Sequence, residues 1–282
     1  MKFNEHLNWE VKELPVFIGY PNTNIETRMD MLETKNKALV NDSTKDLLSI
    51  VSQNYAPCKN EDFEKIVEKI SSITGFENDG YVSFKNGIRV LGYLKNANDI
   101  KVADDRIKHH LVIGNHFDGK HSFFVGTSMY VYRCENMFSS VQKLTNIRHS
   151  SLFDERVSQF YNYLKRQSES DTENIEILNK FAETKLDQAT RDHLVKYLFN
   201  LKQEDRLDKI STRKKNKMIL LNGCIDNEIK DVGNTLWGLF NGVTYYTSHK
   251  INSKNAIYGN LFGTEYLLNA RAFDYMKKKV LL

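Results

Sequence analysis

Tyr81-Val82-Ser83-Phe84-Lys85-Asn86-Gly87-Ile88-Arg89-Val90-Leu91-Gly92-Tyr93-Leu94 is the stretch from which the fold can be read. Two runs rich in β-branched and aromatic residues flank Lys85-Asn86-Gly87, and Asn-Gly supplies the positive φ angles of a tight hairpin turn. A second hairpin follows, with His110-Leu111-Val112-Ile113-Gly114 and Ser122-Phe123-Phe124-Val125 joined through Asp118-Gly119. Met129-Tyr130-Val131-Tyr132 reads as a further strand. Ahead of the first hairpin, Phe63, Ile66, Val67, Ile70 and Ile73 recur at helical spacing, with Asn60 placed to cap the helix and Gly75 to stop it. The expected core is an antiparallel sheet of hairpins backed by that helix.

Working outward, Leu14-Pro15-Val16-Phe17-Ile18-Gly19-Tyr20-Pro21 reads as an arm or edge strand, because proline lacks the amide that a central strand needs. Asp46 to Ser52 is the first clear strand. After Arg133 the pattern becomes helical: Leu152, Val157, Phe160, Tyr161 and Leu164 share one spacing, as do Leu194, Tyr197, Leu198 and Leu201. Gln167 to Asn174 reads as a polar connector, and Arg213-Lys214-Lys215-Asn216-Lys217 as the solvated end of a helix. The last long helices are expected to start near Asn234 and near Thr264, with Lys277-Lys278-Lys279 at the negative end of the final helix dipole. The expected class is α+β. Residues 1–165 form an α+β core domain with an N-terminal arm, and residues 166–282 a mainly helical C-terminal region packing on that core.

Composition sets bounds on function. A chain of 282 residues with 40% hydrophobic content buries a core without disulfide help. Its cysteines, Cys58, Cys134 and Cys224, are odd in number and widely spaced, which suits a reducing compartment. No apolar run approaches the roughly 20 residues of a membrane helix, and Met1 to Glu10 is unlike a signal peptide. The expected location is the cytoplasm of a bacterial host cell, with no membrane partner. A net charge of +4 and a pI near 8.7 permit a polyanionic partner without demanding one.

Three chemistries can be drawn from the side chains. His116, Asp118, His121, His149 and His249 are of metal-ligand type. Against that, Asp118-Gly119 is what a turn requires, and His109 and His110 point to opposite sides of a strand. Cys134 beside Arg133 could be an activated thiol, yet no base accompanies it, and a buried cysteine at a strand-to-helix junction is the plainer reading. There is no phosphate loop, dinucleotide glycine signature or serine elbow. Nucleic-acid binding rests on cations interleaved with rings: Arg89 with Lys85 in the first hairpin, Lys120 and Phe123 in the second, then Tyr130, Tyr132, Arg133 and Arg148. The same rings could equally belong to the core and the same cations to a solvated rim. In the Trp237 helix, Asn241 and Thr244 share a face with Trp237 and suit a buried hydrogen-bonded seam or a subunit contact.

The order of several motifs resembles a phage/plasmid-like domain of unknown function. They are Leu48-Ser49-Ile50-Val51-Ser52-Gln53-Asn54-Tyr55-Ala56-Pro57-Cys58-Lys59-Asn60, Asn115-His116-Phe117-Asp118-Gly119, Arg133-Cys134-Glu135-Asn136, Arg148-His149, and the helix from Trp237 to His249. The resemblance runs from about Lys37 to Phe273 and implies a phage, prophage or conjugative-element setting near DNA processing. The chain departs from the family pattern at Phe117, Tyr245 and Ser248, where the resemblance implies histidine, an acidic residue and aspartate. Those changes remove metal or acid-base groups and weaken a catalytic reading. The order of helix, hairpin and strands over residues 60–132 is also similar in topology to phage single-strand annealing proteins.

The function expected from these readings is single-stranded DNA binding that assists annealing or recombination, non-catalytic, in a homo-oligomer and with no cofactor. Arg89, Lys120, Arg133 and Arg148 would meet phosphates, while Phe123, Tyr130 and Tyr132 would stack or support the sheet. One alternative is an anti-defence protein that covers a host immune complex. Another is a metal-dependent nuclease, which needs His116, Asp118 and His149 to converge.

Overall fold

Asn86 and Gly87 turn as their residue types favour, with φ of 54° and 88°, and Lys85 before them also takes a positive φ of 51°. The strands on either side pair antiparallel, Phe84 opposite Arg89. The structure is a computed structural model that describes residues 7–21, 29–131, 136–138, 143–166, 171–202, 210–251, 259 and 263–281. The fold is α+β, with antiparallel sheets and helices mainly in the C-terminal half. Two compact units emerge, one of residues 1–97, 111–126 and 143–167, the other of residues 98–110, 127–142 and 168–282. No helix among the described residues is long and apolar enough to cross a membrane.

The first unit opens with β1 (Val11–Pro21), β2 (Met29–Asn41) and β3 (Leu47–Ser52), a three-stranded sheet in that order. β1 is an edge, as Pro15 and Pro21 demand. The strand β2 has no counterpart in the sequence reading, because Glu33-Thr34-Lys35-Asn36-Lys37 lacks apolar alternation; its partners on both sides hold it extended. Helix α1 (Asn60–Thr74) buries Phe63, Ile66, Val67 and Ile70, and Gly75 ends it at φ 73°. Asn60 is not the cap expected from the sequence: Lys59 occupies that position without a side-chain bond. Asn60 instead donates its amide to the carbonyls of Leu7 (3.3 Å) and Trp9 (3.0 Å), tying down the N-terminal segment.

Next come β4 (Glu77–Phe84) and β5 (Arg89–Lys95), then β6 (Ile100–Val102), β7 (Asp105–His116), β8 (Phe123–Val131), β9 (Asn136–Phe138) and β10 (Lys143–Ile147). The sheet path is β10-β8-β7-β5-β4, with β6 on β7 and β9 on β8. Phe123–Val125 and Met129–Val131 belong to one strand rather than two, since Gly126, Thr127 and Ser128 stay extended between them. Two strands, β9 and β10, precede the helix that was expected soon after Arg133. Helix α2 (Phe153–Arg166) then buries Phe153, Val157, Phe160 and Leu164.

The second unit is built on α3 (Asp171–Glu183), α4 (Gln188–Leu198), α5 (Thr212–Val232), α6 (Leu236–Tyr245) and α7 (Thr264–Leu281). Part of the expected connector, from Asp171, is the start of α3. The Arg213 to Lys217 run opens α5. Leu236 through Thr244 are all buried, and a π-helical turn, Tyr246–Lys250, continues the segment. Buried Asp105 accepts the Trp237 indole N–H at 2.8 Å.

Packing makes a sharp mutational prediction. The Phe124 ring lies 1.8 Å from where a Cβ on Gly114 would stand, whereas nothing lies within 4 Å of one on Gly223. Chemical denaturation should show Gly114→Ala losing about 3 kcal/mol or more, and Gly223→Ala, inside an exposed helical turn, gaining up to about 1 kcal/mol.

Candidate functional site

Six residues, Phe117 to Ser122, carry the chain from β7 into β8, and their geometry is set by one carboxylate. Asp118 Oδ1 accepts the backbone N–H groups of Lys120 (3.0 Å) and His121 (2.9 Å), the local closure that aspartate favours in turns. Gly119 takes φ 66°, a conformation suited to glycine. Asp118 Oδ2 faces outward from the turn and accepts from Arg89 Nε (3.1 Å) and from His121 Nδ1 (2.7 Å), with Arg89 Nη2 at 3.0 Å. Both members of the Arg89–Asp118 pair are largely shielded, at 12% and 13% side-chain exposure.

Neighbouring elements lock this turn from behind. The Phe117 N–H donates to Ile88 O at 2.8 Å, joining the second hairpin to the turn of the first. Ser49 Oγ on β3 donates to Phe117 O, and the Tyr55 hydroxyl donates to His116 O at 2.8 Å. Asn115 donates its amide to Cys58 O at 2.7 Å, while its buried Oδ1 has no hydrogen-bond partner among the described residues. His116 donates Nδ1–H to Ser122 O at 3.0 Å and stacks on Phe124, centroids 5.8 Å apart. The His149 ring lies 8° from parallel with Phe153 at 5.4 Å and 5.0 Å from Tyr55. Neither of its nitrogens reaches a hydrogen-bond partner among the described residues.

The electrostatics follow from this packing. Burial pushes the His116 imidazole down to about 4, and the Ser122 carbonyl opposes it only in part. Burial likewise holds His149 at about 4, against a smaller upward pull from the Asp118 carboxylate. For Asp118, burial alone raises the carboxyl, but the Lys120 and His121 N–H groups and the His121 ring together carry it down to about 2. Burial raises the thiol of Cys58 and the phenol of Tyr55, so neither supplies an anionic nucleophile at neutral pH.

Of the residues expected at a nucleic-acid site, Arg89, Lys120, Phe123 and Arg148 fall in the first unit. Lys120 and Arg148 face solvent, and Arg89 is held by Asp118. Phe123 is fully buried, edge-on to Phe63 at 6.3 Å and to Phe153 at 5.5 Å. It therefore supports the sheet and has no open ring face for a base. Tyr130 is a β8 residue paired with Met137 in the second unit. Tyr132, Arg133 and Cys134 lie outside the described residues.

Of the metal-ligand candidates, Asp118 and His121 share a hydrogen bond and the His116 ring lies 5.2 Å from that of His121, but His116 turns its Nδ1 to Ser122, Asp118 also binds Arg89, and His149 stacks between rings. His249 stands exposed in the second unit beside Tyr245, 4.6 Å between centroids. Among the described residues, no group of three or more His, Cys, Asp or Glu side chains is placed to hold a metal ion. Trp9 was not singled out from the sequence. Its indole covers Gly87, where a Cβ would approach Cζ2 to 2.4 Å, and it meets Phe117 at 5.7 Å. The glycine at the hairpin tip was the one available sign that something must approach closely there.

A family model described as a domain of unknown function (DUF932) matches residues 47–272. No curated protein and no solved structure matches the chain.

The two depressed imidazoles set an acid limit on the fold. A histidine whose folded pKa lies near 4 against 6.5 costs nothing above about pH 6.5 and destabilises as pH falls toward 4, by at most roughly 3 kcal/mol per group. Unfolding free energy measured from pH 7.5 downward should decline through that window. His149→Phe should flatten the decline while leaving stability at pH 7.5 within about 1 kcal/mol of the parent.

Proposed function

We propose that the chain, which belongs to the DUF932 family, binds single-stranded nucleic acid without catalysing a reaction on it. Its setting would be annealing or recombination in a phage or another mobile element. The observation that carries this reading is the cationic end of the first unit's sheet. Lys85 lies at the tip of the β4–β5 turn and Lys120 in the β7–β8 turn, both exposed, and the Phe117–Ile88 bond makes these turns neighbours. Arg148, also exposed, directly follows Ile147, which pairs with Phe123 at the start of β8. Three solvent-facing cations thus surround a turn whose own carboxylate is already neutralised by Arg89. The half-buried rings of Trp9 and Tyr55 belong to the same end of this unit and suit contact with unpaired bases.

Cations on adjacent turns fit a flexible phosphate chain better than a fixed small anion. Binding of this kind is dominated by counterion release and indifferent to sequence.

Gel shift of the purified protein against labelled single- and double-stranded oligonucleotides across a salt series tests the reading. Affinity for the single strand should fall steeply with salt. A Lys120→Glu, Arg148→Glu double variant that melts like the parent should lose about tenfold or more in affinity at low salt, and its log-log salt slope should shrink by about one to two. Absence of binding, or binding insensitive to salt, would sink the proposal.

A further inference from the structure

The three-stranded sheet of the first unit sets one face on the core around Leu39, whereas Phe17 and Met31, farther along that face, are 46% and 64% exposed, and the other face is half exposed among the described residues. Leu39, Leu48 and Val51 point inward and are buried. On the opposite face, register places Leu14 beside Ala38 and Ala38 beside Ile50, Ile18 beside Leu32, and Val40 beside Leu47. Leu14, Ile18, Leu32, Leu47 and Ile50 are 47 to 56% exposed. A β3 irregularity at Leu48 lets both Leu47 and Ile50 face outward while Leu48 and Ser49 serve the interior. A half-exposed sheet normally alternates apolar inside with polar outside, and this one is apolar on both sides.

We infer that the outer face of β1–β2–β3 packs against the same face of a second copy of this chain, about a two-fold axis. Two features select a second copy as the occupant. The first is charge. A two-fold contact sets a charge on its axis against its own duplicate, so the middle of the face must carry none, and the rungs from Leu14 to Ile50 and from Ile18 to Leu32 carry none. Lys12, at the border, is already paired with Asp42 at 2.8 Å. The second is area. Five large side chains at about half exposure, each offering on the order of 100 Å², together with Thr34, Ala38 and Val40, give roughly 600 Å² per copy. Two copies would then bury about 1,200 Å², the lower bound of a specific interface. Contact runs face to face, two sheets about 10 Å apart, because Pro15 interrupts the free edge of β1 for strand-to-strand addition.

This inference is independent of nucleic-acid binding. Sedimentation velocity of the full chain over a wide concentration range should give a dimer. Leu32→Asp and Ile50→Asp, each exposed in the single chain, should weaken association by roughly a hundredfold or more while leaving far-ultraviolet dichroism and melting unchanged. Hydroxyl-radical footprinting of the unmodified chain needs no variant, and labelling of Leu14, Leu32 and Ile50 should drop as concentration rises. A chain that stays monomeric throughout overturns the inference. So does an assembly whose mass folded variants leave unchanged, or one in which those three residues remain labelled.

Discussion

The ionised carboxylate of Asp118 is the constraint on which the end of the first unit's sheet depends. Its two oxygens take two backbone N–H groups, a guanidinium and an imidazole, so one side chain fixes the β7–β8 turn, the rotamer of Arg89 on β5 and the ring of His121 together. Burial of the group opposes its charge, and only the number of donors converging on it keeps it ionised. Behind it, His116 and His149 are held neutral by the same burial and act as flat, weakly polar rings against Phe124 and Phe153. An aspartate that gathers four donors fixes the shape of this turn.

In the second unit the organising contact is between Asp105 and Trp237. The buried carboxylate gives α6 a fixed rotation, and the small residues Gly238 and Gly242 allow it to approach its neighbours: Cβ atoms there would fall 2.4 Å from Gly233 O and 2.5 Å from Ile225 Cα. Along the same helix, Asn241 donates to Trp237 O and Thr244 to Asn241 O, and Thr247 Oγ1 reaches Asn269 Oδ1 at 2.9 Å. The expected polar seam is there. The Trp237 to His249 signature thereby finds partners within its own unit, which accounts for polar residues at positions that periodicity alone would make apolar.

What the sequence disclosed and what it hid divide along a physical line. The Lys85-Asn86-Gly87 turn, the Asp118-Gly119 turn, the buried stripe of α1 and the Gly75 stop are local, each decided within a few residues, and each stands as read. The strand β2 was hidden because it is extended by pairing with β1 and β3 and not by its own composition. Asn60 was misjudged for a related reason, since a distant pair of carbonyls, those of Leu7 and Trp9, outcompetes the helix end for its amide. Side-chain direction was the other hidden quantity. Phe123 and Phe124 are adjacent in the strand and both are sealed, because this part of β8 is covered on both faces.

Arg89 illustrates how pairing changes the meaning of a cation. By type and position it belongs with Lys85, Lys120 and Arg148, yet it stands 29 residues before the carboxylate that holds it, a partnership with no local mark. For a phosphate to recruit Arg89, it would have to leave the largely shielded Asp118 short of its counter-charge. Breaking such a pair costs about 3–5 kcal/mol when fully buried and less in proportion to exposure, whereas one phosphate contact with a solvent-facing lysine carries no such penalty. Any polyanion at this end of the sheet therefore gains its affinity from the exposed side chains. Arg89 contributes by keeping the turn that displays Lys120 in one shape, so its removal would act on that turn before it acted on a ligand.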